Sequence, residues 1–279
     1  MSDSTNDPVR YFGRQVRKER LAAGWTLAEF GQRIGYDPAH VSRIERGARP
    51  ATEVFAQLCD QAFPDRTSWF SEFYQESCTW IATPPWFRNF VGHEQRAKTL
   101  RNWFPSLLDG LLQSEDYCRR ILSVSPGVTD DEVTGRLAAR MKRQEILTRS
   151  EPPTAWFLVD ELALHRLVGS PEIMAAQMTH LAAVAQLPSV TVQVVPAIAH
   201  AGLLGGFSLT ERAAYVETAV HGQVFEDPEI IARLLTRFDT LRNEALRASE
   251  SLAFIERTGE KWKATGARAA TQGTTAEPA

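Results

Sequence analysis

Cysteine is scarce and scattered in this chain. Cys59, Cys78 and Cys118 are the three among 279 residues and form no CxxC pair. An odd number at such spacing suits a reducing, cytoplasmic compartment better than a disulfide framework. The histidines His40, His93, His165, His180, His200 and His221 show no metal-ligand spacing, and His93-Glu94 lacks the second histidine of HExxH. GxSxG, Walker A and GxGxxG runs are missing, and GLLGGF at 202–207 follows no strand-to-helix phosphate pattern. Asp160, Glu161, His165 and Glu217 could in principle cluster as acid and base, but helix capping by Asp160 and a surface position for Glu161 explain them more simply. The expectation is a protein that is not an enzyme, with no catalytic residue, no metal and no cofactor.

Long hydrophobic runs are missing too. Residues 187–207 carry no formal charge, yet Pro188, Gln193, Pro196 and His200 interrupt them, so no membrane span is expected. The opening MSDSTNDP is polar and acidic, unlike a signal peptide. An excess of positive charge is also lacking: the net charge is −3, which taken alone argues against a nucleic-acid partner. Its distribution reverses that reading. Residues 8–50 hold nine basic side chains against four acidic ones, a net +5 that leaves −8 for the rest. A basic module on an acidic body is the electrostatic footprint of a DNA binder with a second job.

Within the basic module, residues 24–50 read GWTLAEFGQRIGYDPAHVSRIERGARP. Thr26 is placed as an N-cap, with Leu27, Phe30 and Ile34 following at helical spacing. Gly35 supplies a turn, and Asp37-Pro38 is a second cap with proline at the first helical position. Val41 and Ile44 anchor the second helix, and Gly47 ends it. Two short helices joined by a tight glycine turn make a helix-turn-helix unit. If Val41 and Ile44 point inward, Ala39, Ser42, Arg43 and Arg46 share the outer face. Small residues admit that helix to base edges, and arginine can bind guanine bidentately. Phe12 and Val16 set a stripe on the preceding helix, 9–23, that brings Arg20 inward. Glu45 lies beside Ile44 on an inward face, so Arg20 and Glu45 are expected to pair.

The stretch resembles the XRE class of helix-turn-helix regulators, which includes the lambdoid phage repressors. G-W-T-L-A-E-F-G-Q-R-I-G matches its first helix and D-P-A-H-V-S-R-I-E-R-G its recognition helix. The resemblance implies double-stranded DNA as partner, with Thr26, Pro38, Ala39, His40, Ser42, Arg43, Arg46 and Arg49 as contact residues. It also implies the Arg20–Glu45 pair. The phosphate-contacting glutamine common in the family is Leu27 here. Gly31 replaces the usual alanine where the helices cross, at an expected cost of up to ~1 kcal/mol in helix propensity. A single recognition helix covers few base pairs, so a homodimer on a palindromic site is expected.

Further along, Thr52-Glu53 opens a fourth helix to about Ala62, and Ser68–Cys78 reads as an aromatic-rich fifth. Thr83-Pro84-Pro85 is the best hinge. The expectation is an all-α, five-helix, lambda-repressor-like domain over 1–80, then a mixed α/β domain with a small sheet over 81–263. From Ala264 the Ala, Gly, Thr and Pro composition predicts a disordered tail, 264–279. Within the second domain the periodicity predicts helices over 91–104 and 113–122 and a capping box at Thr129–Glu132 before a helix to about Thr148. That helix is acidic at its start and basic toward its end, which suits the macrodipole. Strands follow at 154–159, 189–195, 206–210 and 214–220. Helices are expected from Asp160 through Gly169, over 171–185, from Asp227-Pro228 to about Arg247, and over 249–262.

From Ile173 to Thr210 there is no Asp, Glu, Lys or Arg, although 23% of the chain is charged. The plain reading is a central strand with a buried helix; the sharper one is a surface for a ligand or another chain. GLLQSEDYCR, RMKRQEIL, FLVDELALHRLVG, QMTHLAAVAQLPSVTVQVVP and LRNEALRASES resemble the C-terminal domain of unknown function in actinobacterial WhiJ-like, antitoxin-type regulators. Asp109-Gly110 stands where that family commonly has Pro-Gly. The resemblance implies a transcriptional regulator paired with a small, separately encoded protein, for which Leu203, Leu204 and Phe207 are candidate anchors. Rival readings are a regulator that senses a small molecule in this domain and an enzyme carrying a DNA-binding module.

Overall fold

The recognition segment folds through its own caps. In the computed structural model, which describes residues 8–124, 126–197, 205–218 and 221–273, α1 (Pro8–Ala22) precedes α2 (Leu27–Ile34) and α3 (Pro38–Glu45). Thr26 and Glu29 form a reciprocal capping box on α2, and Gly35 leaves that helix in the left-handed region at φ +70°. The Asp37 carboxylate accepts from the amides of Ala39 and His40 at the start of α3. Beyond it come α4 (Glu53–Ala62) and α5 (Trp69–Ala82). The Asp60 carboxylate accepts from the amides of Phe70 and Ser71 and so caps α5 from the neighbouring helix. Phe12, Val16, Phe30, Ile34, Val41, Ile44, Phe55 and Phe70 form the core of this bundle.

The chain divides into two compact units. One comprises residues 1–84 with 127–139, and the other 85–126 with 140–279. The division falls inside α8 (Asp130–Gln144), whose first ten residues count with the helical unit.

In the second unit α6 (Pro85–Arg96) leads into β1 (Thr99–Phe104), and α7 (Glu115–Leu122) follows. After α8 come β2 (Thr154–Asp160), α9 (Glu161–His165), α10 (Pro171–Val184) and β3 (Val190–Val195). Then come β4 (Phe207–Leu209), β5 (Ala214–Glu217), β6 (Gly222–Phe225), α11 (Pro228–Glu244) and α12 (Ala248–Gly273). The sheet order is β3-β2-β1-β4-β5-β6, with β1, β2 and β3 parallel and the remaining pairings antiparallel. Alternation along β2 sends Ala155, Phe157 and Val159 into the core beneath α10 and α12. Trp156 and Leu158 go to the opposite core, beneath Phe238 and Leu241 of α11. The free edge of β3 is covered by the α11–α12 link. Leu246 donates its amide to Val194 O at 2.9 Å, and Ser251 Oγ accepts from the Val194 amide at 2.9 Å.

Several expectations are corrected. Residues 91–104 are not one helix: α6 ends at Arg96 and 99–104 is a central strand. Leu100 and Trp103 have helical spacing but serve opposite sheet faces, because β1 pairs with both β2 and β4. β6, not anticipated, completes a hairpin with β5. The helix after Asp160 stops at His165. α12 continues to Gly273 instead of giving way to a tail at Ala264. It packs along α10 with Gly259 facing Met178, and tertiary support of this kind overrides weak helix propensity.

Candidate nucleic-acid interface

Val41 and Ile44 are 0% and 1% exposed, which fixes the rotation of α3 about its axis. Its other side presents Ala39, Arg43 and Arg46 to solvent, with His40, Ser42 and Arg49 half-buried and Pro38 exposed. Thr26 is exposed at the start of α2. The rotation is held from below. Arg20 Nε donates to Glu45 Oε1 at 2.6 Å, Arg20 Nη2 to Glu45 Oε2 at 2.9 Å, and Arg20 Nη1 to the Trp25 carbonyl at 2.7 Å. Both side chains are buried, so this fork replaces the water each charge gave up. The glycine at the α1–α3 crossing serves the same end: a Cβ on Gly13 would land on the Ile44 carbonyl oxygen.

The cations on this face differ in freedom. Arg43 is exposed and, among the described residues, has no ion-pair partner. Arg46 Nε turns back to the Ser42 carbonyl at 3.2 Å. Arg49 lies 4.0 Å from Glu132. The His40 ring meets Tyr36 edge-on at 5.1 Å. Burial, then the nearby Arg49 and Arg43 charges, lower its pKa below the ordinary histidine value. Leu27, in the place of the phosphate-contacting glutamine, packs against the core.

A helix-turn-helix domain family matches residues 12–61, and the family described as Domain of unknown function (DUF5753) matches residues 87–257. The chain belongs to the DUF5753 family. No curated protein and no solved structure matches it. Residues 12–61 make the N-terminal part a DNA-binding helix-turn-helix of the regulator kind, while the DUF5753 match assigns the second unit no activity. Among the described residues no helix is long and apolar enough to cross a membrane.

Of the candidate anchors in the DUF5753 region, Leu203 and Leu204 lie outside the described residues. Phe207 is corrected: it is 3% exposed, packed in β4 with Trp103 and Leu158, and cannot meet a partner without unfolding the sheet. Asp160 caps α9 through the Leu162 amide at 2.8 Å. Glu161 accepts from the Ala197 amide at 3.0 Å, so it ties down the chain after β3 instead of standing free.

Sequence reasoning missed a buried polar cluster in this unit. Glu94 and Arg143 form a two-bonded pair at 2.6 and 3.2 Å. Asp109 accepts from Asn102 Nδ2 at 3.0 Å and the Leu111 amide at 2.6 Å. Burial pushes the carboxyls of Glu94 and Asp109 above their ordinary range. The arginines of α8 read as dipole partners from sequence, and nothing local marked Arg143 as buried.

Proposed function

We propose that this protein is a sequence-specific transcriptional regulator of the XRE type that inserts α3 into the major groove of a double-stranded DNA operator. The observation that carries this reading is the outer face of α3. Ala39 and Ser42 allow close approach, Arg43 is unpaired to read a base, and Arg46 and Arg49 flank it for the backbone. Selection of binding sites from a random duplex pool with the full chain is the test. The enriched site is expected to be palindromic or nearly so. Arg43→Ala is then expected to cost ~1–3 kcal/mol on that site and to relax preference at one base pair. Arg46→Ala or Arg49→Ala is expected to weaken all sequences alike and to reduce the salt slope by about one. Equal losses for Arg43→Ala on selected and random DNA would refute base readout.

The second unit serves, in this reading, as the regulatory input of a cytoplasmic, antitoxin-like pair, taking a small, separately encoded protein. Its own hydrophobic cores, distinct from the core of the helix-turn-helix unit, support a role apart from DNA contact. Leu203 and Leu204 remain the proposed anchors. Leu204→Asp is expected to abolish co-purification of that protein from the native host while leaving DNA binding intact. A chain that keeps its partner after this change places the interface elsewhere.

A further inference from the structure

Three acidic residues, Asp130, Asp131 and Glu132, open α8. That part of α8 belongs to the same compact unit as the helix-turn-helix. Glu132 uses its two oxygens for different tasks. Oε2 accepts the Thr129 amide at 3.1 Å in a capping box with Thr129 Oγ1, while Oε1 faces Arg49 Nη2 at 4.0 Å. The cap therefore orients a carboxylate toward one of the cations proposed to hold the DNA backbone. Asp131 lines a cavity of about 120 Å³ together with Thr52 and Glu53, which form the N-terminus of α4, and with Val54, Tyr74 and Gly135. Its charge also reaches His40 on α3.

A helix N-terminus with an arginine beside it is where a phosphate binds. Here that place is bordered by carboxylates of the protein's own chain. Resting on the DNA-binding reading above, we infer that the acidic first turn of α8 is an autoinhibitory phosphate mimic. It occupies Arg49 and the approach to the α4 N-terminus, and it is displaced when the DNA backbone engages them. The acidic turn and the DNA backbone compete for the same cation, so weakening the first strengthens the second. Because the contact is half-exposed, each carboxylate is expected to restrain binding by only about 2–3-fold, within reach of a modest regulatory signal.

The test uses the full chain, a fluorescently labelled duplex of random sequence, and anisotropy titrations over a range of salt. Asp131→Asn with Glu132→Gln keeps the shape of the turn, since glutamine still serves a capping box. This variant is expected to bind the duplex ~3–10-fold more tightly at low salt, with a salt slope steeper by about one. In an Arg49→Ala background most of that gain should vanish. Asp239→Asn with Glu244→Gln, an equal change of net charge on exposed positions of α11, should give none of it. Unchanged affinity and slope in the carboxamide variant would overturn the inference, leaving the DNA reading to stand on Arg43. A gain that survives Arg49→Ala in full, or that the α11 variant reproduces, would overturn it equally, because net charge alone would be responsible. If neither the wild type nor any variant binds DNA, the DNA reading itself fails and the inference falls with it.

Discussion

Arg20 and Glu45 are buried beneath α3 and hold the rotation of the face proposed to meet DNA. Their fork is buried on both sides, and the remaining guanidinium nitrogen is taken by the Trp25 carbonyl. Removing either partner leaves a buried charge unmatched. Arg20→Ala or Glu45→Ala is therefore expected to destabilise the helical unit by ~3–5 kcal/mol, while replacing both by apolar residues should be much milder. Amide hydrogen exchange across α1 and α3 in the full chain reads this directly, and unchanged protection after Arg20→Ala would contradict it. Asp109 carries the opposite sign. Burial raises its pKa above the ordinary value, so its contribution to stability is fully present below the unfolded pKa and is lost as pH rises through the folded one. Asp109→Asn is expected to raise the melting temperature at neutral pH, with the gap to wild type closing as the pH falls into the ordinary carboxylate range. A gap independent of pH would show that Asp109 does not titrate with folding.

At the scale of elements, close approach outranks helix propensity. Propensity alone says that alanine at Gly31 should stabilise α2 by up to ~1 kcal/mol. The geometry says otherwise, since a Cβ there would sit 2.5 Å from the Tyr36 carbonyl oxygen in the turn. Gly31→Ala is expected to destabilise the unit by ~1–3 kcal/mol and to loosen the α2–α3 turn. A gain in stability would mean the turn can shift at little cost. Gly13→Ala, which drives α1 off the carbonyls of Ile44 and Glu45, should be worse and should also weaken DNA binding by moving α3. The same contrast appears in β1. Its six residues have no strong local signature, and only pairing on both sides makes them a strand.

For the whole molecule, charge distribution is the governing quantity. A chain of net −3 binds DNA only if its basic residues, concentrated in 8–50, face the duplex. One α3 with small readers at Ala39 and Ser42 adds little energy, and useful operators need ~10⁻⁸ M or tighter. Two chains per operator are therefore expected, with half-sites about one helical turn apart. Sedimentation of the complex on the selected site checks this, and one chain per complete site would exclude it.

What the sequence alone determined are the features whose causes lie within a few residues of one another. The caps at Thr26, Asp37 and Thr129 are local hydrogen bonds, and the rotation of α3 follows from Val41 and Ile44. The hydrophobic runs at 154–159 and 189–195 likewise marked β2 and β3. The pairing of Arg20 with Glu45, 25 positions apart, is the exception: each helix's own phase puts a charge on a buried face, and two buried charges must meet. Only the tertiary structure decided that 99–104 is a central strand, that Phe207 is core, that α12 outlasts its composition, and that Glu132 faces Arg49. Each of these depends on segments far apart in the chain, whose meeting is set by sheet pairing and core burial, and periodicity within a single segment carries no information about them.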